Sequence, residues 1–206
     1  MRTAARRGSG PASALSVVGR TAALATLLAV AGCSDNTVEA QAQAGQEKGY
    51  ISGDGAVQVV TPEQREQSLE LDGTTLEGDP WSAQDQRGEV LVVNVWGSWC
   101  GPCQAEAADL EQVYSDYAQA GEPVDFIGVN DRDSDYAALA FQEAKGVSYP
   151  SLVDDGGRTL LDLRGLAQAR PTTLVLDPQG RVAARVAGQV DASTLNALIE
   201  DVLSES

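Results

Sequence analysis

Histidine is absent from all 206 residues of this chain. A haem-attachment signature ends in histidine, and a Cys/His hydrolase needs an imidazole to activate its thiol, so both are excluded. Cysteine is scarce: Cys33, Cys100 and Cys103 are the complete set. The spacing of Cys100 and Cys103 suits half of a zinc site, but four ligands are required and one distant cysteine cannot supply the rest, so no metal is expected. Basic residues are in deficit, with 14 Lys and Arg against 30 Asp and Glu and a formal net charge of −16. Such a surface repels nucleic acid and anionic membranes alike. Long apolar runs are lacking too: Thr21–Val30 has ten residues, too few to span a bilayer. No internal repeat is visible.

What is present is a pair of thiols at a strand-to-helix corner. Val90-Leu91-Val92-Val93-Asn94-Val95-Trp96 is β-branched and apolar enough for a buried parallel strand, and Gln104–Ala120 has helical composition. Between them lies Trp99-Cys100-Gly101-Pro102-Cys103. Unpaired N–H groups and the macrodipole at a helix start favour negative charge, which lowers a cysteine's pKa and keeps it as the reactive thiolate. Cys100 is therefore the expected nucleophile. Cys103, one turn into the helix, is near enough to close a disulfide with it, and Pro102 suits an early helical position where its missing N–H costs little. A purely structural crosslink over this spacing would restrict the unfolded chain very little, so reversible dithiol/disulfide exchange is the preferred chemistry.

Together with Arg170-Pro171-Thr172-Thr173 far downstream, this motif resembles the thioredoxin-fold oxidoreductases, and more narrowly the membrane-tethered extracytoplasmic reductases of the ResA and TlpA type. The resemblance runs from about Ser68 to Leu203. It implies an α/β, thioredoxin-like fold: a central mixed β-sheet flanked by helices, with an N-terminal β-hairpin and a central insertion. It implies no cofactor beyond a redox-active Cys100-Cys103 disulfide. It also implies a cis Pro171 facing the thiols, with Trp99, Gly101, Pro102, Arg170 and Thr172 at the substrate contact. Arg170 could equally be solvated. Protein thiols or disulfides would be the substrates, an apocytochrome c cysteine pair in particular, and a membrane thiol transporter of the CcdA kind would recharge the enzyme.

Glu106 lies three residues beyond Cys103, on the same helical face, and the ResA group carries an acidic residue at this spacing. Burial beside two sulfurs would raise its pKa and make it a proton carrier for Cys103. The alternative is a first-turn glutamate complementing the helix dipole. Asn94 stands where cytosolic thioredoxins commonly have a buried aspartate; an amide cannot carry that proton, which shifts the role toward Glu106.

The N-terminus reads as an export signal. Arg2, Arg6, Arg7 and Arg20 precede or flank the short apolar run, which ends in Val30-Ala31-Gly32-Cys33 and resembles a bacterial lipoprotein box. The expected organisation is a lipoprotein signal peptide over 1–32, a lipid-anchored tether and N-terminal extension over 33–67, and a thioredoxin-like domain over 68–206. Cys33 would carry the lipid and hold the domain on the outer face of the cell membrane. Ordinary secretion is the alternative, and the export route stays open because the residues after Arg6-Arg7 fit twin-arginine export poorly. Gly49–Val57 resembles an extension associated with actinobacterial members of the ResA group, and Val57–Val60 is a candidate edge strand.

Further along, Leu69–Leu76 alternates around Asp72-Gly73 as a β-hairpin would, and Trp81 anchors a polar connection over 81–88. Ala105, Ala108, Leu110, Val113, Tyr114 and Tyr117 form the apolar face of the helix after the motif. Val124–Val129 is a second buried strand. Asp133 or Ser134 caps a helix Tyr136–Lys145 that Gly146 closes, and this unit through Val153 makes the insertion. A short helix over Arg158–Arg164, a hairpin over Thr172–Gly188 turning at Pro178-Gln179-Gly180, and a final helix over Asp191–Leu203 complete the chain.

Three other functions compete. A general disulfide oxidase or isomerase for exported proteins would need a more oxidising couple. A peroxiredoxin-type peroxidase would place threonine at position 97, where this chain has Gly97. A metal carrier of the Sco kind binds through two cysteines and a histidine, and the histidine is missing.

Overall fold

The computed structural model describes residues 56–205. The expected signal peptide, Cys33 and most of the expected tether lie outside that range. In chain order the elements are β1 (Ala56–Val59), β2 (Asp72–Thr74), β3 (Pro80–Ser82), β4 (Val90–Trp96), α1 (Gly101–Ala120), β5 (Val124–Asn130), α2 (Asp135–Lys145), β6 (Ser151–Val153), α3 (Arg158–Asp162), β7 (Thr172–Leu176), β8 (Val182–Ala187) and α4 (Ala192–Leu203).

The run Val90–Trp96 is apolar on both faces, apart from Asn94, because it becomes the central strand, buried at all seven positions. Val90 and Val92 pack with Leu110, Val113, Phe126, Leu198 and Ile199 on the side of α1 and α4. Leu91, Val93 and Val95 pack with Ile127, Leu163, Leu174 and Leu176 on the other side. Each such side chain contributes about 1.5–3 kcal/mol by leaving water. The six-stranded sheet has the order β1-β8-β7-β4-β5-β6. β4, β5 and β6 are parallel, whereas β7 runs antiparallel to β4, β8 to β7, and β1 to β8. This is the mixed sheet flanked by helices that the sequence predicts, with β5, α2 and β6 as the insertion.

Alternating direction across β4, β7, β8 and β1 has a topological result. Ala56 pairs with Ala187, which pairs with Thr172, which pairs with Val95, so all four lie at one end of the sheet. The chain therefore enters the described fold at the end where β4 delivers the cysteine motif.

Three expectations shift. The sheet takes in β1, with Val57 buried, so the fold reaches N-terminal of Ser68, the expected domain start. The N-terminal hairpin exists, but Asp72-Gly73 lies in its first strand: Gly73 pairs with Trp81, and the chain reverses over residues 75–79. Asp-Gly is a turn signal only where no partner strand claims it. On α1, Ala105 and Ala108 are exposed, and the buried face is Cys103, Glu106, Ala107, Leu110 and Val113. That face keeps the 3.6-residue period but is rotated toward the thiol.

Candidate active site

Cys100 is the N-cap of α1, and its Sγ accepts a hydrogen bond from the Cys103 backbone N–H at 3.2 Å. Pro102 falls within the first two helical positions, where no N–H is needed. A disulfide joins Cys100 and Cys103 across a Cα–Cα distance of 5.2 Å. Both cysteines are buried, in an apolar cluster with Trp96, Leu76 and Ala138. Gly101, Pro102 and Trp99 remain exposed around them, Trp99 at 53 %. The disulfide thus lies at the positive end of a 20-residue helix, over an apolar floor.

Trp96 supplies part of that floor. Its indole donates to Ser151 Oγ at 3.1 Å and packs against Phe141, with ring centroids 4.9 Å apart. This geometry requires Gly128 on the neighbouring strand: a Cβ there would overlap Ser151 Oγ and come within 2.7 Å of the indole nitrogen.

Behind the disulfide, the otherwise apolar face of the sheet carries a polar row. Glu106, 1 % exposed, projects from α1 onto Asn94 of β4. Asn94 Nδ2 donates to Glu106 Oε1 at 2.9 Å and to Thr173 Oγ1 at 3.1 Å, while the Val190 N–H donates to Glu106 Oε2 at 3.0 Å. Burial pushes the carboxyl up from 4.5 to about 7, against the two N–H donors that favour its charge, and Asp109 adds a smaller upward push. Glu106 is therefore poised between acid and base near neutral pH. A cavity of about 10 Å³, room for one water, is lined by Cys103, Asn94 and Gln142. Gln142 Oε1 is the one orphaned buried polar side-chain atom among the described residues.

At the same end of the sheet the Arg170–Pro171 peptide is cis. Pro171 directly precedes β7, and Thr172 sits opposite Val95. Two expected substrate contacts change here. Thr172 is fully buried between β4 and β8, with its hydroxyl donating to Ala169 O at 2.9 Å, so its side chain is committed to the loop. Arg170 is neither solvated nor a free cation. Its Nε donates to Asp131 Oδ2 at 2.8 Å and its Nη1 to Ala167 O and Ala169 O at 2.7 and 3.0 Å, leaving the side chain 8 % exposed.

Asp131 was not singled out by sequence reasoning. The available signal was an acidic residue continuing the apolar run of β5, where no solvent is at hand for its charge. Thr173 was likewise missed as a partner of Asn94, because two residues 79 apart leave no local pattern. Asp133 belongs to the same loop and accepts from the Ser98 N–H at 2.7 Å. Its burial would raise its pKa, but hydrogen bonds from Ser98, Asn130 and Ser134 outweigh that and hold the carboxyl below its ordinary value.

Comparison with known proteins places this geometry. The model of the AhpC/TSA family matches residues 63–185. The thiol-disulfide oxidoreductase ResA of Bacillus anthracis is 26 % identical over 129 residues, covering 63 % of this chain and 72 % of that protein. The ResA of Bacillus subtilis is 30 % identical over 112 residues, covering 54 % and 60 %. Among solved structures, a DsbF homologue from Corynebacterium diphtheriae is 33 % identical with a TM-score of 0.65, covering 70 % of this chain and 92 % of its own. A secreted thiol-disulfide isomerase from Corynebacterium glutamicum is 30 % identical with a TM-score of 0.68, covering 75 % and 96 %. With a cysteine pair at the head of α1 and a cis-proline beside it, the chain belongs to the AhpC/TSA family, with a thioredoxin-like fold, and is a thiol-disulfide oxidoreductase of the ResA type.

Proposed function

We propose that the protein works as an extracytoplasmic reductant, anchored by a lipid on Cys33, that reduces the haem-binding cysteine pair of an apocytochrome c and is recharged by a membrane thiol transporter of the CcdA kind. The observation that carries the reductive half is Glu106, buried on the same helix face as Cys103 with a pKa near neutrality. In the reduced enzyme Cys100 thiolate attacks one sulfur of the substrate disulfide, and the departing substrate thiolate takes a proton. Cys103 passes its proton to the Glu106 carboxylate and attacks Cys100 Sγ, which releases the second substrate thiol. Two electrons move to the substrate and the enzyme is left as the Cys100-Cys103 disulfide. Trp99, Gly101 and Pro102 offer the exposed surface against which the substrate lies, and the backbone beside Pro171 pairs with it. The ResA relatives are named thiol-disulfide oxidoreductases, which supports the exchange chemistry, and the secreted Corynebacterium neighbour supports an extracytoplasmic site.

A general oxidase or isomerase for exported proteins is the second reading, favoured by the DsbF homologue and the isomerase among the structural neighbours. The equilibrium reduction potential of Cys100/Cys103, followed by tryptophan fluorescence in thiol redox buffers, separates the two. A value of about −270 mV or lower fits a dedicated reductant, and a value near about −120 mV overturns that reading in favour of a disulfide donor.

A further inference from the structure

We propose that Asp131 is a positioning residue for substrate docking: its carboxylate holds the cis-proline loop through Arg170, its carbonyl holds the indole of Trp99, and the two flank Cys100 in fixed register. The inference rests on the thiol-exchange reading and adds to it a residue that touches neither sulfur nor substrate.

The argument is topological first. β4 ends at Trp96 between β5, which ends at Asn130 opposite it, and β7, which begins at Thr172 opposite Val95. Arg170 belongs to the β7 side and Asp131 to the β5 side, with about 10 Å between strands that are two apart. Their ion pair at 2.8 Å therefore crosses the end of the strand from which the cysteine loop springs. Asp131 also donates its own N–H to Trp96 O at 2.9 Å, and Trp99 Nε1 donates to Asp131 O at 3.0 Å. Among the described residues Arg132, 77 % exposed, is the other cation on the carboxylate, at 3.2 Å. The cis-proline loop, the end of β4 and the Trp99 indole are thus tied to a single residue, itself 1 % exposed.

Gly97 is the second, independent observation. A Cβ there would lie 2.5 Å from Trp99 Nε1 and 3.2 Å from Asp131 O. The indole can fold back onto Asp131 only because residue 97 has no side chain. A half-exposed tryptophan pinned by a hydrogen bond presents a rigid aromatic wall, which suits an extended peptide lying between it and the Pro171 loop. A small disulfide reagent needs no such wall.

The test compares Gly97→Ser and Asp131→Asn with the wild-type protein on two oxidants, a short peptide carrying an intramolecular Cys-x-x-Cys disulfide and 5,5′-dithiobis(2-nitrobenzoate). In single turnovers of protein reduced beforehand, the peptide concentration giving half the limiting rate is expected to rise about tenfold in each variant with little change in the limiting rate, and the peptide-to-reagent rate ratio to fall in parallel. Trp99 emission, isolated by difference against Trp99→Phe, should shift to the red in Gly97→Ser. If both variants keep the wild-type ratio, or lose both rates equally, Asp131 does not position the groove. If Asp131→Asn fails to fold, Gly97→Ser alone decides through the same ratio. A wild-type protein inert toward both oxidants overturns the exchange reading itself, which separates that failure from this one.

Discussion

Glu106 is an acid that folding weakens. Its carboxyl rises from 4.5 to about 7, so between those values the folded protein holds a proton that the unfolded chain releases. Stability from this group is fully present below about pH 4.5 and is lost as pH rises toward 7, by about 3 kcal/mol in all. Glu106→Gln should flatten that part of the stability-pH curve in urea titrations at several pH values. The same variant should slow resolution of the mixed disulfide by at least about tenfold and remove the limb of its pH profile near 7; unchanged kinetics across pH would exclude the proton-carrier role. Asn94→Asp provides the converse. A second carboxylate would sit where Asn94 Nδ2 now donates at 2.9 Å, and the pair would share one proton, pushing the apparent pKa of the exchange step above 7. Glu106 was legible from its spacing to Cys103. Its partners were not, since Val190 lies 84 residues away and only the fold brings it near.

Strand ends and turns carry the next level of specification. Asp177, 2 % exposed, directly follows β7 and accepts from the Gln179 and Arg181 N–H groups at 3.1 and 2.9 Å. Its other oxygen takes Arg181 Nε at 2.8 Å and Arg65 at 3.1 Å. Burial alone would raise this carboxyl, but the Arg181 N–H and the two guanidinium groups hold it below its ordinary 3.8. Its stabilisation is therefore present above that value and is lost as pH falls through the lowered one. Asp177→Ala should cost about 1–3 kcal/mol in a denaturant titration, because the Gln179 and Arg181 N–H groups lose their acceptor while Arg65 keeps its pair to Glu205 at 2.7 Å. Gly128→Ala should cost about 1–3 kcal/mol and break the Trp96–Ser151 hydrogen bond, visible as a shift in Trp96 emission. Pro178-Gln179-Gly180 announced the turn of the β7–β8 hairpin in the sequence, and Ser134 announced the start of α2. The β2–β3 hairpin was displaced because strands of three residues carry too little alternation to fix a register.

The whole molecule is organised around one apolar strand, and that strand, its helix and the thiol corner were all readable from composition and period. The outer limit of the sheet was legible to within one residue, Val57–Val60 against β1 at Ala56–Val59, although β1 has four residues and its only buried side chain is Val57. A chain beginning at residue 61 would lose that burial and the ladder to β8, about 2–3 kcal/mol. It would also expose the β8 edge, so a lower melting temperature and concentration-dependent light scattering are expected. The direction of β1 matters beyond stability. Because Ala56 shares an end of the sheet with Val95 and Thr172, any tether acting through the preceding residues pulls on the redox end of the molecule rather than on its far pole.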